Sequence, residues 1–407
     1  MPSLRQLRRQ RARRSRGGIA LLVVIAAIMF LTVLVTDIDF GSRVRFVASA
    51  HSRDGSQAYW VANSGMSLYR LVLMGNKQLG KYLTGSGKDF CEIVSLQGIS
   101  CSDPLLSFIP FLNTGMLRSM LVSGGDLEEE DIEELKATGQ ATEETTEESR
   151  EQSSSRFGKQ GFLDFNGDFT ATVAGEDCKV NISGLSSHSE PLSDDPLYEM
   201  LEQLMSGEEN EAWLRERDLT ALELIGNLAD WVDSDSTVAS GNGSTEDNFY
   251  NSLDSPYVSK NAPFDSPEEV RLVEGWQDSV YERWGDKLTI YGSKKVNITC
   301  ADREVLAMML RAYGGLTTDS QVDAALTALD QYKLDGNVIA TCAQFKTALT
   351  DEQGVTMSSD FEEKCTNRNT VYTVTSTGVV ANVNVKITAV IDQSNSDAGR
   401  VKYWRVE

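Results

Sequence analysis

Histidine is nearly absent from this chain: His51 and His188 are the only two in 407 residues. The six cysteines include no C-x-x-C pair, and no G-x-S-x-G occurs. With so few nitrogen ligands and no paired thiols, a zinc site lacks its donors. A hydrolase needs a nucleophile, a base and a group that orients the base. His51 falls on a helical pattern and His188 in a polar serine loop, so neither supplies that base. Basic residues are also in the minority, 38 against 60 acids, for a formal charge of −22. The first 18 residues hold seven arginines and no acid, so removing them leaves −29. A surface that acidic repels phosphate backbones, which argues against nucleic-acid binding beyond the leader. It suits a domain that takes up a hard cation.

What is present is concentrated near the N-terminus. Arg5, Arg8, Arg9, Arg11, Arg13, Arg14 and Arg16 lead into Gly17-Gly18, and an apolar run from Ile19 to Val35 follows with only Thr32 as a polar break. Seventeen residues are at the short end of a bilayer span. A secretory signal peptide has a shorter core and a small-residue site soon after it. Ala48-Ser49-Ala50 has the A-x-A look but lies behind Asp37, Asp39, Arg43 and Arg45. The helical pattern instead continues through Tyr59, Met66, Tyr69 and Leu73. The arginines predict a cytoplasmic N-terminus and a single pass, with everything after Val35 sent across the membrane. Basic leader, glycine, apolar half-helix and amphipathic half-helix together resemble a type IV pilin-like precursor. The glycine marks prepilin-peptidase cleavage between Gly18 and Ile19, with a cut after Gly17 as the variant.

Composition then divides the chain. Residues 1–18 are the basic leader, 19–82 the transmembrane and amphipathic pilin helix, and 83–125 a variable cysteine-containing region. From 126 to 155 runs of glutamate and serine form a segment too polar to offset its ordering entropy, expected to be a solvated loop. Alternation resumes in 156–188, where Asn166-Gly167 predicts a hairpin between Phe162–Phe165 and Asp168–Val173. Residues 189–365 read as helices with punctuating loops. Ser266-Pro267-Glu268-Glu269 predicts a capped helix start, and Thr299–Leu310 another helix, with Val305, Leu306, Met309 and Leu310 on one face. Residues 366–407 return to strand, in Val371–Ser376, Ala381–Ile391 and Val401–Val406. The expected fold is α+β: a long N-terminal helix and an antiparallel sheet, interrupted by a large helical insertion of helix-hairpin-helix or SAM-like character. An even cysteine count outside the cytoplasm predicts disulfides, in one of fifteen pairings. Sequence neighbours favour Cys91–Cys101 and Cys342–Cys365. Cys178 and Cys300 are then left to each other, each beside a Lys-Val-Asn-Ile run (179–182 and 295–298) at the junction of sheet and insertion.

Several blocks resemble one family in order: the minor pseudopilin called general secretion pathway protein K, of the bacterial type II secretion system. They are Gly18–Val24, Leu228-Ala229-Asp230-Trp231-Val232-Asp233-Ser234-Asp235, Glu246-Asp247 with Tyr250, Pro256-Tyr257, Asn261-Ala262-Pro263, Glu269–Val273, Asn297-Ile298-Thr299 with Glu304-Val305-Leu306, and Tyr403-Trp404-Arg405. The acidic segment 126–155 and the six cysteines depart from that pattern. The resemblance implies a filament subunit that caps the tip of a short periplasmic pseudopilus and supports protein secretion. Its implied partners are other minor pseudopilins, the major pseudopilin, the prepilin peptidase and the inner-membrane secretion platform. Pilins of this type carry a glutamate at the fifth mature position, whereas a cut after Gly18 places Val23 there and a cut after Gly17 places Leu22. A subunit without that carboxylate cannot neutralise a neighbour's amine within the filament, but it can end the row. The resemblance also implies calcium near Asp230, Asp233, Asp235, Glu246 and Asp247. Those acids flank a Ser/Gly/Asn-rich loop of the kind that supplies oxygen ligands, though not with EF-hand spacing. Trp231 is expected in the core. The alternatives are a minor pilin of a type IV pilus or competence system, which the Asp230–Arg271 block disfavours, and an exported helix-hairpin-helix DNA-binding protein, which the charge disfavours.

Overall fold

The structure is a computed structural model that describes residues 4–85, 103–117, 167–186, 195–234 and 247–407. The leader is not a separate coil: one helix, α1, runs from Leu4 to Gly85 through both glycines. Its second half lies on a five-stranded antiparallel sheet, with the short helix α2 (Pro104–Phe108) packed beside it. The strands are β1 (Phe111–Asn113), β2 (Asp168–Gly175), β7 (Val371–Val380), β8 (Val383–Asp392) and β9 (Arg400–Val406), side by side in that order.

Period-two burial explains this sheet. Along β7 the buried positions Tyr372, Val374, Ser376, Gly378 and Val380 alternate with half-buried or exposed ones. On α1, Ala58, Val61, Ala62, Met66, Tyr69 and Leu73 recur at helical spacing and face Phe169, Ala171, Tyr372, Val374, Ile387, Ala389 and Ile391. The approach is close. Ser376 Oγ donates to the Ala62 carbonyl at 2.8 Å across the interface, and Gly65 leaves room for the Phe169 ring.

Between β2 and β7 the chain leaves the sheet and builds a second core, from Val180 to Cys365. It is packed from α3 (Pro196–Met205), α4 (Glu208–Arg215), α5 (Ala221–Val232), α6 (Asp247–Asn251), α7 (Asp278–Trp284), α8 (Arg303–Gly314), α9 (Asp319–Leu334), α10 (Cys342–Gln353) and α11 (Phe361–Lys364). Trp276, Trp284, Phe345 and Phe361 are its largest fully buried side chains. Two short parallel pairs return the chain to the sheet: β3 (Val180–Asn181) with β4 (Leu288–Thr289), and β5 (Val296–Asn297) with β6 (Cys365–Thr366). Cys178 is joined to Cys300 and Cys342 to Cys365.

Two local expectations are corrected, and a third falls partly outside the described residues. The described neighbours of β2 are Phe111–Asn113 and Val371–Val380, long-range partners on both sides; the first arm of the expected hairpin lies outside the described residues. Residues Pro267–Leu272 form a single 3-10 stretch, and Ser266 makes no side-chain cap. Glu269 does not close a capping box because Trp231, Lys260 and the Asp265 amide take its carboxylate. The helix expected from Thr299 begins at Arg303, because Asp302 rather than Thr299 caps it, accepting from the Val305 amide at 2.8 Å. The acidic segment 126–155 and the Cys91–Cys101 pair lie outside the described residues.

Candidate functional site

Three features concentrate chemistry, and the first is the bare half of α1. From Leu21 to Val47 its apolar side chains are turned outward, Phe30 at 69% and Phe46 at 76% exposure. The helix contains a stretch long and apolar enough to cross a membrane, with a window of mean hydropathy 2.7 and none of that window buried. An exposed apolar surface this long marks a lipid or protein contact. Arg43 and Asp39 form an i,i+4 ion pair at 2.9 Å just past the apolar run. Ile19, the proposed mature start, lies within the helix, and the side chains of residues 1–20 lie outside the described set.

The second feature is the acidic loop. Thr220 opens α5 with a capping box to Glu223. The helix ends on Asp230, Trp231, Val232 and Asp233, all buried. Trp231 is a core residue, 3% exposed, edge-on to Tyr250 at 5.3 Å and to Tyr257 at 6.2 Å between ring centroids. Its indole N–H donates to Glu269 Oε1 at 3.1 Å, and Lys260 Nζ lies 2.9 Å from the same oxygen. The Tyr257 hydroxyl donates to the Leu272 carbonyl at 2.7 Å. These rings hold the two feet of the loop together: Asp233 ends one side and Asp247 begins the other. Burial raises the Tyr250 hydroxyl pKa well above the usual tyrosine range, so that ring stays neutral.

The acids differ in what they can offer a cation. Asp230 and Asp233 sit at the C-terminal end of α5, where the helix dipole is negative and disfavours a carboxylate. Two buried carboxylates at that end fit a positive ion, which would also be met by terminal carbonyls of the helix. Asp247 starts α6, where the dipole favours an acid, and its Oδ1 already accepts from the Ser259 amide at 2.9 Å and hydroxyl at 3.1 Å. Asp235 and Glu246 lie outside the described residues. Among the described residues, no group of three His, Cys, Asp or Glu side chains is placed to hold a metal.

A third cluster, which sequence reasoning missed, lies where α1, the sheet and the insertion meet. Asp103 accepts from Asn76 Nδ2 at 2.8 Å, from Asn369 Nδ2 at 3.1 Å and from the Tyr372 hydroxyl. Burial is the main cause that lifts its carboxyl above the usual range, and those three donors oppose the shift. Glu176 and Asp177 beside it are each 1% exposed. Glu176 accepts from Thr373 Oγ1 at 2.6 Å, from Lys179 Nζ at 3.1 Å and from the Thr289 hydroxyl. Spacing in the sequence held no signal for any of the three.

A long helix with an apolar first half, laid on an antiparallel sheet with a helical insertion between strands, defines the class: a pilin-like α+β protein. Residues 178–293 match the family described as Type II secretion system (T2SS), protein K. The chain therefore carries that family's domain, and the resemblance read from its motifs is borne out. It is 22% identical over 303 residues to the Type II secretion system protein K of Aeromonas hydrophila, covering 74% of this chain and 72% of the relative. It is also similar to a chain in the crystal structure of the GspK-GspI-GspJ complex from the enterotoxigenic Escherichia coli Type 2 Secretion System. There the TM-score is 0.45 and the identity 16%, over 60% of this chain and 82% of that one.

Proposed function

We propose that the protein is a minor pseudopilin that caps a short periplasmic filament of the type II secretion system and so supports secretion across the outer membrane. The observation that carries this reading is the bare apolar half of α1 joined to a packed pilin-like sheet. That helix anchors the subunit in the inner membrane, leader inside, and offers its apolar length to the helices of other minor pseudopilins and of the major pseudopilin. A prepilin peptidase would release Ile19, and the inner-membrane platform would assemble the product. Val23 at the fifth mature position and the bulk of the second core both support a place at the end of the row. Calcium held by Asp235 and Glu246 together with Asp230, Asp233 and Asp247 would fix the loop on its aromatic base. The role is structural, with no catalytic residue assigned. Site-specific crosslinking from Trp60 and Leu71, exposed on α1, tests the placement. Adducts to other minor pseudopilins are expected; adducts between adjacent copies of this chain along the filament shaft would refute a tip role.

A further inference from the structure

One cavity on this acidic protein is walled by positive charge. It lies at the end of α1 farthest from the apolar run and measures about 170 Å³. Lys77 and Lys81 come to it from the last turns of α1, Arg368 from the loop before β7, and Gln393 from the turn between β8 and β9. Its described lining holds three cations and no acid. A larger cavity of about 360 Å³ also holds three arginines, but Arg283, Arg303 and Arg311 are each paired there with an acid.

Arg368 is the group left to act. It is exposed, and its side chain makes no hydrogen bond or ion pair among the described residues; only its backbone amide is engaged, by Thr366 Oγ1 at 3.3 Å. The lysines, by contrast, are held in place. Lys77 Nζ donates to the Gln393 carbonyl and to the Ser396 carbonyl at 3.3 Å, and Lys81 Nζ lies 2.7 Å from Asp397 Oδ1. Gln393, 3% exposed, ties the floor together: its amide donates to the Thr370 carbonyl at 2.8 Å and its Nε2 to the Asp397 carbonyl at 2.9 Å. The cavity is therefore set by the fold. Asp397 shows the chemistry that suits the lysines, since one carboxylate takes both through Oδ1 and Gln78 through Oδ2 at 2.7 Å.

We infer that this cavity receives a carboxylate from a short acidic peptide segment of a partner protein, with Arg368 taking both its oxygens and Lys77 and Lys81 as supporting charges. The planar guanidinium pairs with a carboxylate through two parallel bonds, whereas an ammonium acts as a point charge. Three cations less Asp397 leave two positive charges to be met, so consecutive acids suit the site better than one. The formal charge of −22 limits the occupant's length, because a long polyanion would be repelled by the rest of the surface. Lipid headgroups beside the apolar run are out of reach: along α1, Lys77 stands roughly 63 Å beyond Val35. None of this depends on the protein's place in a filament.

Fluorescence anisotropy of a labelled tetraglutamate peptide, added to the full-length protein in detergent at low salt, tests this. The wild type should bind it saturably, and binding should weaken as salt is added. Arg368→Ala should raise the dissociation constant about tenfold or more, because the bidentate pair is lost. Its melting temperature should match the wild type, since that side chain holds nothing else in place. Lys294→Ala, which removes an exposed cation from a different cavity, should bind as the wild type does. An equal loss in Lys294→Ala and Arg368→Ala would reduce the effect to general attraction and overturn the inference. Displacement of the peptide by inorganic phosphate, at an ionic strength where chloride leaves it bound, would assign the cavity to phosphate instead. A wild type that binds no peptide also overturns it, and binding gained on deleting residues 126–155 would then identify the chain's own acidic run as the occupant.

Discussion

The contact between α1 and the sheet gives the sharpest test of the packing argument. Gly378 in the middle of β7 faces Ala58 and Ala62, both fully buried on α1. A Cβ added at 378 would fall inside the van der Waals radius of the Ala58 carbonyl oxygen. It would also lie 2.5 Å from Ala62 N and 3.1 Å from Ala62 Cα. All three atoms are backbone, so no rotamer change relieves the clash and the helix must lift. Overpacking of this kind costs roughly 1–3 kcal/mol. Lifting also breaks the bond from Ser376 Oγ to the Ala62 carbonyl, and a buried hydroxyl left without its acceptor costs about 1–3 kcal/mol more. Gly378→Ala should therefore destabilise the sheet core by about 4 kcal/mol. At roughly 2 °C per kcal/mol, that lowers its melting temperature by about 8 °C. The matched control is Gly226→Ala in α5, where an added Cβ meets nothing within 4 Å. That change should leave stability unaltered or raise it by up to about 1 kcal/mol. Thermal melting followed by exchange of β7 and β8 amides reads the sheet separately from the insertion, whose core shares no buried residue with it. If Gly378→Ala and Gly226→Ala melt alike, the close approach of helix and strand is wrong.

Other predictions are more local. With calcium at a hundredfold excess over its dissociation constant, the protein should gain about 2.7 kcal/mol of stability relative to chelator; an Asp233→Ala, Asp235→Ala double variant should show no such difference, and a wild-type melt indifferent to millimolar calcium would return these acids to structural roles. Asp319 is held below the ordinary carboxylate value of 3.8, first by the Glu208 amide at 2.8 Å and then by Arg311. Because its folded pKa is lowered, its stabilisation is present above pH 3.8 and lost as pH falls through the folded value; Asp319→Asn should remove that part of the acid limb in a pH series of melts, by under about 1 kcal/mol given its exposure, and an unchanged acid limb refutes it. N-terminal sequencing of the membrane-extracted protein should begin at Ile19, whereas a start at His51 would indicate a conventional signal peptidase.

The periodic parts of this fold were legible and the polar joints were not. The apolar run of α1 and the alternating strands β7, β8 and β9 are each long enough for a period to emerge, and the structure places them within a few residues of expectation. Two helix starts carried a usable signal that went unread: Thr220 with Glu223, and Thr318 with Gln321, both form capping boxes. Ser266 with Glu269 carries the same pattern and does not, because Trp231, 38 positions earlier, claims the glutamate. Local pattern cannot see such competition. Glu176 and Asp177 are the stronger case. Asp177 accepts from residues 116 and 193 positions away, and a Glu-Asp pair between strands reads as a solvated turn until those donors arrive.

That such acids stand between the two cores has a physical reason. Apolar contact is non-directional and tolerates sliding, so two hydrophobic surfaces alone would leave the insertion free to settle at several angles on the sheet. A buried carboxylate is costly unless its oxygens are filled, and it is filled only when the donors arrive from particular directions. Asp177 takes five donors from two loops, Glu176 takes three, and Asp103 takes three from α1, β7 and the 368–370 loop. Any rotation of the insertion leaves some of those oxygens buried and unfilled, at about 1–3 kcal/mol or more each. The junction thereby fixes an angle at some expense in desolvation, which an apolar joint of the same size would not do. Replacing Asp177 by leucine should accordingly do more than weaken the joint. It should broaden the distribution of distances between spin labels at Leu334 and Val379, both exposed. A distribution as narrow as the wild type would mean that apolar packing sets the angle after all.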